Sequence, residues 1–213
     1  SGGWNFSNGA VLVQTLSLGE IGNPASQQRI ETRLLTRQGG QWAGYSYRWD
    51  ESQSDATLVQ QNGEEKEIAI RDRGAPGGIR RQIWRFPSRA ECLACHSRAA
   101  NFVLGLSELQ LNRVHDYGGV QANQLRTWQH IGLFTNALTK SLTELTNLVD
   151  PYDTTHNLEA RARSYLHVNC SVCHIEAGGG NSKMVFSFTT KAETMNLIAA
   201  RPQHDTFGID NAM

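Results

Sequence analysis

No stretch of this chain approaches the roughly 18 consecutive apolar residues that would span a membrane as a helix. Neither sign of charge prevails: 20 lysines and arginines balance 20 aspartates and glutamates. A nucleic-acid binder ordinarily shows a basic excess gathered into a stripe, so this balance argues against one. Charged residues are 19% of the chain against 39% hydrophobic, too few for a solvated disordered polymer. The opening Ser1-Gly2-Gly3-Trp4 has no charged-then-apolar leader, and any export signal is expected to have been removed or to lie upstream. Methionine is scarce, with three residues, and cysteine numbers four against seven histidines. The 213 residues suffice for one sizeable domain or two small ones.

The few cysteines are not scattered. All four fall in two copies of one pentapeptide, Cys92-Leu93-Ala94-Cys95-His96 and Cys170-Ser171-Val172-Cys173-His174. Such spacing suits thioether attachment of a haem. Two thiols about a helical turn apart reach the two vinyl groups, and the adjacent histidine is delivered beneath the iron. A structural zinc site is the first alternative, but zinc ribbons separate their cysteine pairs by about 15–20 residues, far less than the gap from Cys95 to Cys170, and would leave both histidines unexplained. A thioredoxin-like dithiol needs a β-α-β surrounding that neither pair has, and a disulfide across so short a gap is strained. The expectation is two covalently bound haem c groups, held by Cys92, Cys95, Cys170 and Cys173, with His96 and His174 as proximal iron ligands.

Along the chain the pattern changes near Pro87. Before it, Val11, Val13 and Thr15 alternate with Leu12, Gln14 and Leu16, as in a half-buried strand. Strands are expected over 30–37 and 42–49, joined by Gln38-Gly39-Gly40-Gln41, a strong hairpin signal because glycine supplies the positive φ that tight turns require. Residues 67–71 and 79–86 make two further strand candidates. Trp42, Tyr45, Tyr47 and Trp49 are readable as a sugar-stacking strip, while Tyr45, Tyr47 and Trp49 share one strand face, where core packing is the expectation. After Pro87, Ser88-Arg89-Ala90-Glu91 matches a capping box. Helices are expected from there through the first motif, over 107–115, 121–131 and 135–149, and from an Asn157 cap to Cys170 with an apolar stripe of Leu158, Ala162, Tyr165 and Leu166. The expected fold class is α+β, with an antiparallel β sandwich-like part over 1–87 packed on a helical cytochrome c region over 88–213. The first haem segment would be 88–149 and the second 150–213.

Several segments resemble a known family. Glu31-Thr32-Arg33-Leu34-Leu35, Tyr45-Ser46-Tyr47-Arg48-Trp49 and Asp55-Ala56-Thr57-Leu58-Val59 look like its β part. Residues 87–96 with Val103-Leu104-Gly105-Leu106 and Asn123-Gln124-Leu125 look like its first haem segment, and 161–174 like its second. The family is that of bacterial diheme c-type cytochromes, found alone or beside sugar-dehydrogenase-like domains. The resemblance implies a periplasmic or otherwise exported electron carrier. Similar family members continue past Met213 into a segment with a Gly-x-Met-Pro-like motif, so the second haem segment is expected to be truncated.

The distal ligands stay open. All three methionines follow the second motif, so the first haem takes a histidine, a methionine folded back, or an open site. His130 is the chosen candidate there, its alternative being a partly buried histidine bonding a carbonyl or a propionate. For the second haem the candidates are Met184, a tight wrap, and Met213, or a ligand beyond the chain. His167 lies one helical turn before Cys170 and is expected to touch the second haem or to lie between the haems, bonding a propionate or water rather than the iron. Arg89, Arg98, Arg126, Arg161 and Arg163 are candidate propionate partners, the alternative for each being a solvated surface charge.

Electron relay between a donor dehydrogenase and a respiratory acceptor is the expected function, alone or as a subunit of a larger respiratory assembly. The competing reading is a diheme peroxidase-type enzyme with one five-coordinate haem. No convincing distal acid–base set stands near either motif, although Glu176 follows the second.

Overall fold

The computed structural model describes residues 3–20, 22–201 and 208–209. Its strands are β1 (Val11–Leu18), β2 (Gln28–Gln38), β3 (Gln41–Trp49) and β4 (Ala56–Leu58), forming one antiparallel sheet in that order. The β2–β3 hairpin closes as its glycines dictate, with Gln38 opposite Gln41 and Gly39 and Gly40 at φ 56° and 77°. A second antiparallel ribbon joins β5 (Glu64–Arg71) to β6 (Ile79–Phe86). Ribbon and sheet meet where Ile30, Val59 and Phe86 are buried together, flanked by Leu18, Ile68 and Trp84. A bulge in the β1–β2 pairing skips Ile30, which lets Ile30 and Glu31 be buried in succession.

Glu31 is fully buried in this layer. Its carboxylate accepts from Arg33 Nε at 2.8 Å, Arg33 Nη2 at 2.9 Å, Ser46 Oγ at 2.7 Å and Trp84 Nε1 at 3.0 Å. Four donors are what a desolvated carboxylate needs to be tolerated. Tyr45, Tyr47 and Trp49 lie on the sheet face opposite Gly44 and Ser46, and are half-buried. The short helix α1 (Arg89–Cys95) follows β6. Its capping box is formed: Ser88 N–H donates to the Glu91 carboxylate at 2.6 Å and Glu91 N–H to Ser88 Oγ at 3.1 Å.

The chain divides into two compact units, Asn5–Cys95 and a second made of Ser1–Trp4 with His96–Met213. The second unit holds α2 (Glu108–Leu111), β7 (Val114–Asp116), β8 (Gln121–Asn123), α3 (Gln124–His130) and α4 (Leu158–Asn169). Its buried apolar side chains are Val103, Leu109, Leu111, Leu125, Phe186 and Met195.

The expected helical cytochrome c region is not found, and the α+β expectation is corrected to a mostly β chain. Among the described residues antiparallel sheets dominate, and the four helices are short, the longest being the 12 residues of α4. Two causes explain the missing helices, and the one long helix that does form packs on an unexpected face. Gly118 and Gly119 do not break a helix but turn a hairpin, with Tyr117 N–H donating to the Val120 carbonyl at 2.9 Å and β7 paired to β8. Residues 135–149 carry four threonines and two asparagines, poor helix formers. Their peptide groups bond elsewhere: Asn112 Nδ2 donates to the carbonyls of Leu142 and Leu145, Leu148 N–H donates to Leu109, and Val149 N–H to Ser164 Oγ. In α4, most of the expected apolar stripe points outward, Leu166 alone being half-buried. Asn157 caps the helix as expected, but Leu158 is 72% and Tyr165 47% exposed, while Arg163, Ser164 and His167 face inward. Among the described residues no helix is long and apolar enough to cross a membrane.

Candidate functional site

The first pentapeptide straddles the division between units, with Cys92 and Cys95 in the β unit and His96 opening the second. Cys92 lies half-buried on α1 against β3, where a Cβ built on Gly44 would fall 2.6 Å from its Cβ and 2.9 Å from its Sγ. Only glycine permits this approach of helix to strand. Burial raises the Cys92 pKa, an effect that the nearby Arg33 guanidinium opposes. Cys95 is exposed, and none of the four cysteines is in a disulfide.

His96 is oriented by backbone. Its Nδ1–H donates to the Phe102 carbonyl at 2.5 Å. A carbonyl can only accept, so Nδ1 carries the proton and Nε2 keeps the lone pair a metal needs. The loop that delivers this carbonyl is tight. Phe102 N–H donates to the Ser97 carbonyl at 2.9 Å, and both Asn101 and Phe102 have left-handed backbone, at φ 54° and 60°. Such a conformation at a bulky side chain costs on the order of 1–3 kcal/mol and is held only by surrounding contacts.

The second pentapeptide follows α4. His174 N–H donates to the Cys170 carbonyl at 3.0 Å, and Gly178 and Gly180 beyond it fold back over the motif. Gly180 N–H donates to the Cys173 carbonyl at 3.0 Å. A Cβ on Gly178 would fall 2.2 Å from that carbonyl oxygen, and one on Gly180 would fall 2.8 Å from His174 Nδ1. The imidazole is further bracketed by Phe186, edge-on at 4.9 Å between ring centroids, and by Ser182 Oγ at 3.4 Å from Nδ1. Phe186 N–H donates to the His174 carbonyl at 3.0 Å, closing the bracket.

His130 ends α3 and is exposed, as are Arg98 and Arg126. Met184 is half-buried two residues before Phe186, and Met213 lies outside the described residues. Met195, by contrast, is buried with its sulfur 3.1 Å from Arg163 Nη1. Arg163 also donates to the carbonyls of Phe188 and Thr190, so it braces the 188–195 loop. Arg161 Nε donates to the Pro151 carbonyl at 2.8 Å, and Arg89 stacks over Tyr45 at 4.8 Å. His167 is half-buried, and its Nδ1 accepts the Phe188 N–H at 3.2 Å, which leaves the proton on Nε2. Nε2 is therefore a donor suited to an anion rather than to a metal. Burial lowers the His167 pKa.

Sequence reasoning missed the Phe102 carbonyl, Gly44, Gly180, Ser182 and Phe186. A main-chain acceptor leaves no side-chain signature, whereas Gly178-Gly179-Gly180, four residues past His174, is a readable sign of close backbone approach. The described residues contain no group of three or more His, Cys, Asp or Glu side chains placed to hold a metal ion by themselves. No family model, curated protein or solved structure matches the chain.

Proposed function

We propose that the chain is an electron carrier with two covalently attached haems, acting in an exported compartment between a donor dehydrogenase and a respiratory acceptor. The observation that carries this reading is that every cysteine belongs to a C-x-x-C-H pentapeptide and none is bridged. Cys92, Cys95, Cys170 and Cys173 would each add a thiol S–H across a vinyl double bond, forming a C–S bond and passing the hydrogen to the neighbouring carbon. His96 suits the proximal role because its Nδ1–H is already spent on Phe102, leaving Nε2 toward the iron. Bound haem supplies a one-electron couple, and the chain's part is to fix its ligands and exclude reactants. His167, with its proton on Nε2, is suited to a propionate oxygen at the second site. Thioether formation takes place on reduced cysteines after export, which places the working protein outside the cytoplasm.

Intact mass under denaturing conditions tests the reading, using chain produced with a haem-attachment system. Two added haem masses are expected, with one lost in Cys92→Ala/Cys95→Ala and the other in Cys170→Ala/Cys173→Ala. An unmodified polypeptide, or one that binds zinc in place of haem, would overturn it. Two low-spin ferric signals are expected in the electron-paramagnetic spectrum, where a high-spin signal would favour peroxidase-type chemistry.

A further inference from the structure

We infer that Asn101 is a positioning residue for His96, and that the segment Gly3–Trp4 is a strap that holds it in place. The inference rests on the reading of His96 as an iron ligand. The Phe102 carbonyl is what fixes the His96 tautomer, and its aim depends on the left-handed pair Asn101–Phe102. Asn101 does not hold that geometry alone. Its Nδ2 donates to the Gly3 carbonyl at 2.8 Å and to the Trp4 carbonyl at 3.2 Å. These contacts span almost a hundred residues of sequence and fasten the loop from outside. Gly3 runs so close beneath the loop that a Cβ there would fall 3.1 Å from the Val103 carbonyl oxygen.

The strap is itself anchored. The Trp4 ring packs at 5.9 Å from Trp128 of α3 and edge-on at 4.9 Å from Phe134. The chain of contacts therefore runs from two aromatic rings to Trp4, to the Asn101 amide, to the Phe102 carbonyl and to Nδ1 of His96. An Nδ1–H bonded to a carbonyl makes Nε2 more basic, which favours ferric over ferrous iron and lowers the reduction potential. Strap contacts would thus bias the potential of a haem held by His96 through the aim of that ligand alone.

Two variants and two readouts test this. Asn101→Gly keeps the left-handed backbone but deletes the amide, and Trp4→Ala leaves the loop sequence unchanged while removing the ring anchor. In histidine-labelled protein the His96 Nδ1–H resonance is expected to exchange with solvent about tenfold faster in either variant, as the loss of two hydrogen bonds or their anchor implies. In redox titration one of two midpoint potentials is expected to rise and the other to stay. If both variants keep the parental exchange rate and both potentials, the strap has no hold on His96 and the inference falls. A parent that carries no haem would defeat the functional reading instead, and the tautomer and exchange of His96 still decide whether the strap orients it. Should Asn101→Gly fail to fold, Trp4→Ala decides alone.

Discussion

Adding one methyl group to the glycine triplet after the second motif should separate two neighbouring positions sharply. In Gly180→Ala the new Cβ would fall 2.8 Å from His174 Nδ1, 2.9 Å from Cε1 and 3.0 Å from the Cys173 carbonyl oxygen. Ordinary contact begins near 3.4 Å, so the imidazole or the loop must retreat by several tenths of an ångström. Phe186 and Ser182 already flank the ring, and the Gly180 amide is tied to the same carbonyl, so neither has free room. Overpacking of this kind costs about 1–3 kcal/mol. Gly179→Ala is the matched control, because a Cβ there meets nothing within 4 Å and the residue lacks left-handed φ. Restricting the unfolded chain at such a site is worth about 0.4–1 kcal/mol in the stabilising direction. Urea denaturation should therefore place the two variants about 1–4 kcal/mol apart, Gly180→Ala being the weaker. Its haem count should stay at two while the ferric spectrum of one haem changes. Equal urea midpoints for the two variants would refute the close packing of Gly180 on His174.

Glu31→Ala removes the acceptor of four donors; Arg33 can rehydrate, being 41% exposed, but Ser46 and Trp84 cannot fully do so, and a loss of about 3 kcal/mol is expected by urea titration. Asn112→Ala frees the carbonyls of Leu142 and Leu145 and the Asn123 amide, at about 1–3 kcal/mol, and limited proteolysis should find new cleavage within 135–149. His167 is held below its ordinary pKa by burial, so the unfolded chain binds its proton first; stability is full above about pH 6.5 and falls as the pH drops below that, and His167→Gln should flatten the slope.

The parts of this fold that local chemistry dictates are legible in the sequence alone. Gly39-Gly40 between alternating runs announced the β2–β3 hairpin, Ser88 with Glu91 announced the α1 cap, and Asn157 announced the start of α4. What failed was the assignment of residues whose conformation is decided at a distance. The 135–149 segment reads as a helix by spacing, but its peptide partners are Asn112, Leu109 and Ser164, none of them local. Gly118-Gly119 is the same dipeptide as Gly39-Gly40, yet its flanks are three-residue strands too short to show a period of two. At the site, the pentapeptides themselves were legible because their chemistry is in side chains at fixed spacing. The groups that aim His96 and His174 were not, since a carbonyl and a missing Cβ carry no spacing rule.

The inverted α4 has a thermodynamic consequence. The helix is anchored by the Arg163 guanidinium on two carbonyls and a thioether, by Ser164 on Val149 and by His167 on Phe188, while Leu158 and Tyr165 stay wetted in either state. Releasing it from the rest of its unit would expose the polar groups of Arg163, Ser164 and His167 beside Leu166 and Met195, and polar exposure lowers the heat capacity where apolar exposure raises it. Detachment of α4 should therefore carry a smaller heat-capacity change than release of a helix held by an apolar face. Its attachment would weaken less on cooling than hydrophobic contacts do, so this helix should hold in the cold while the β core, built on Phe86 and Ile30, loses its margin.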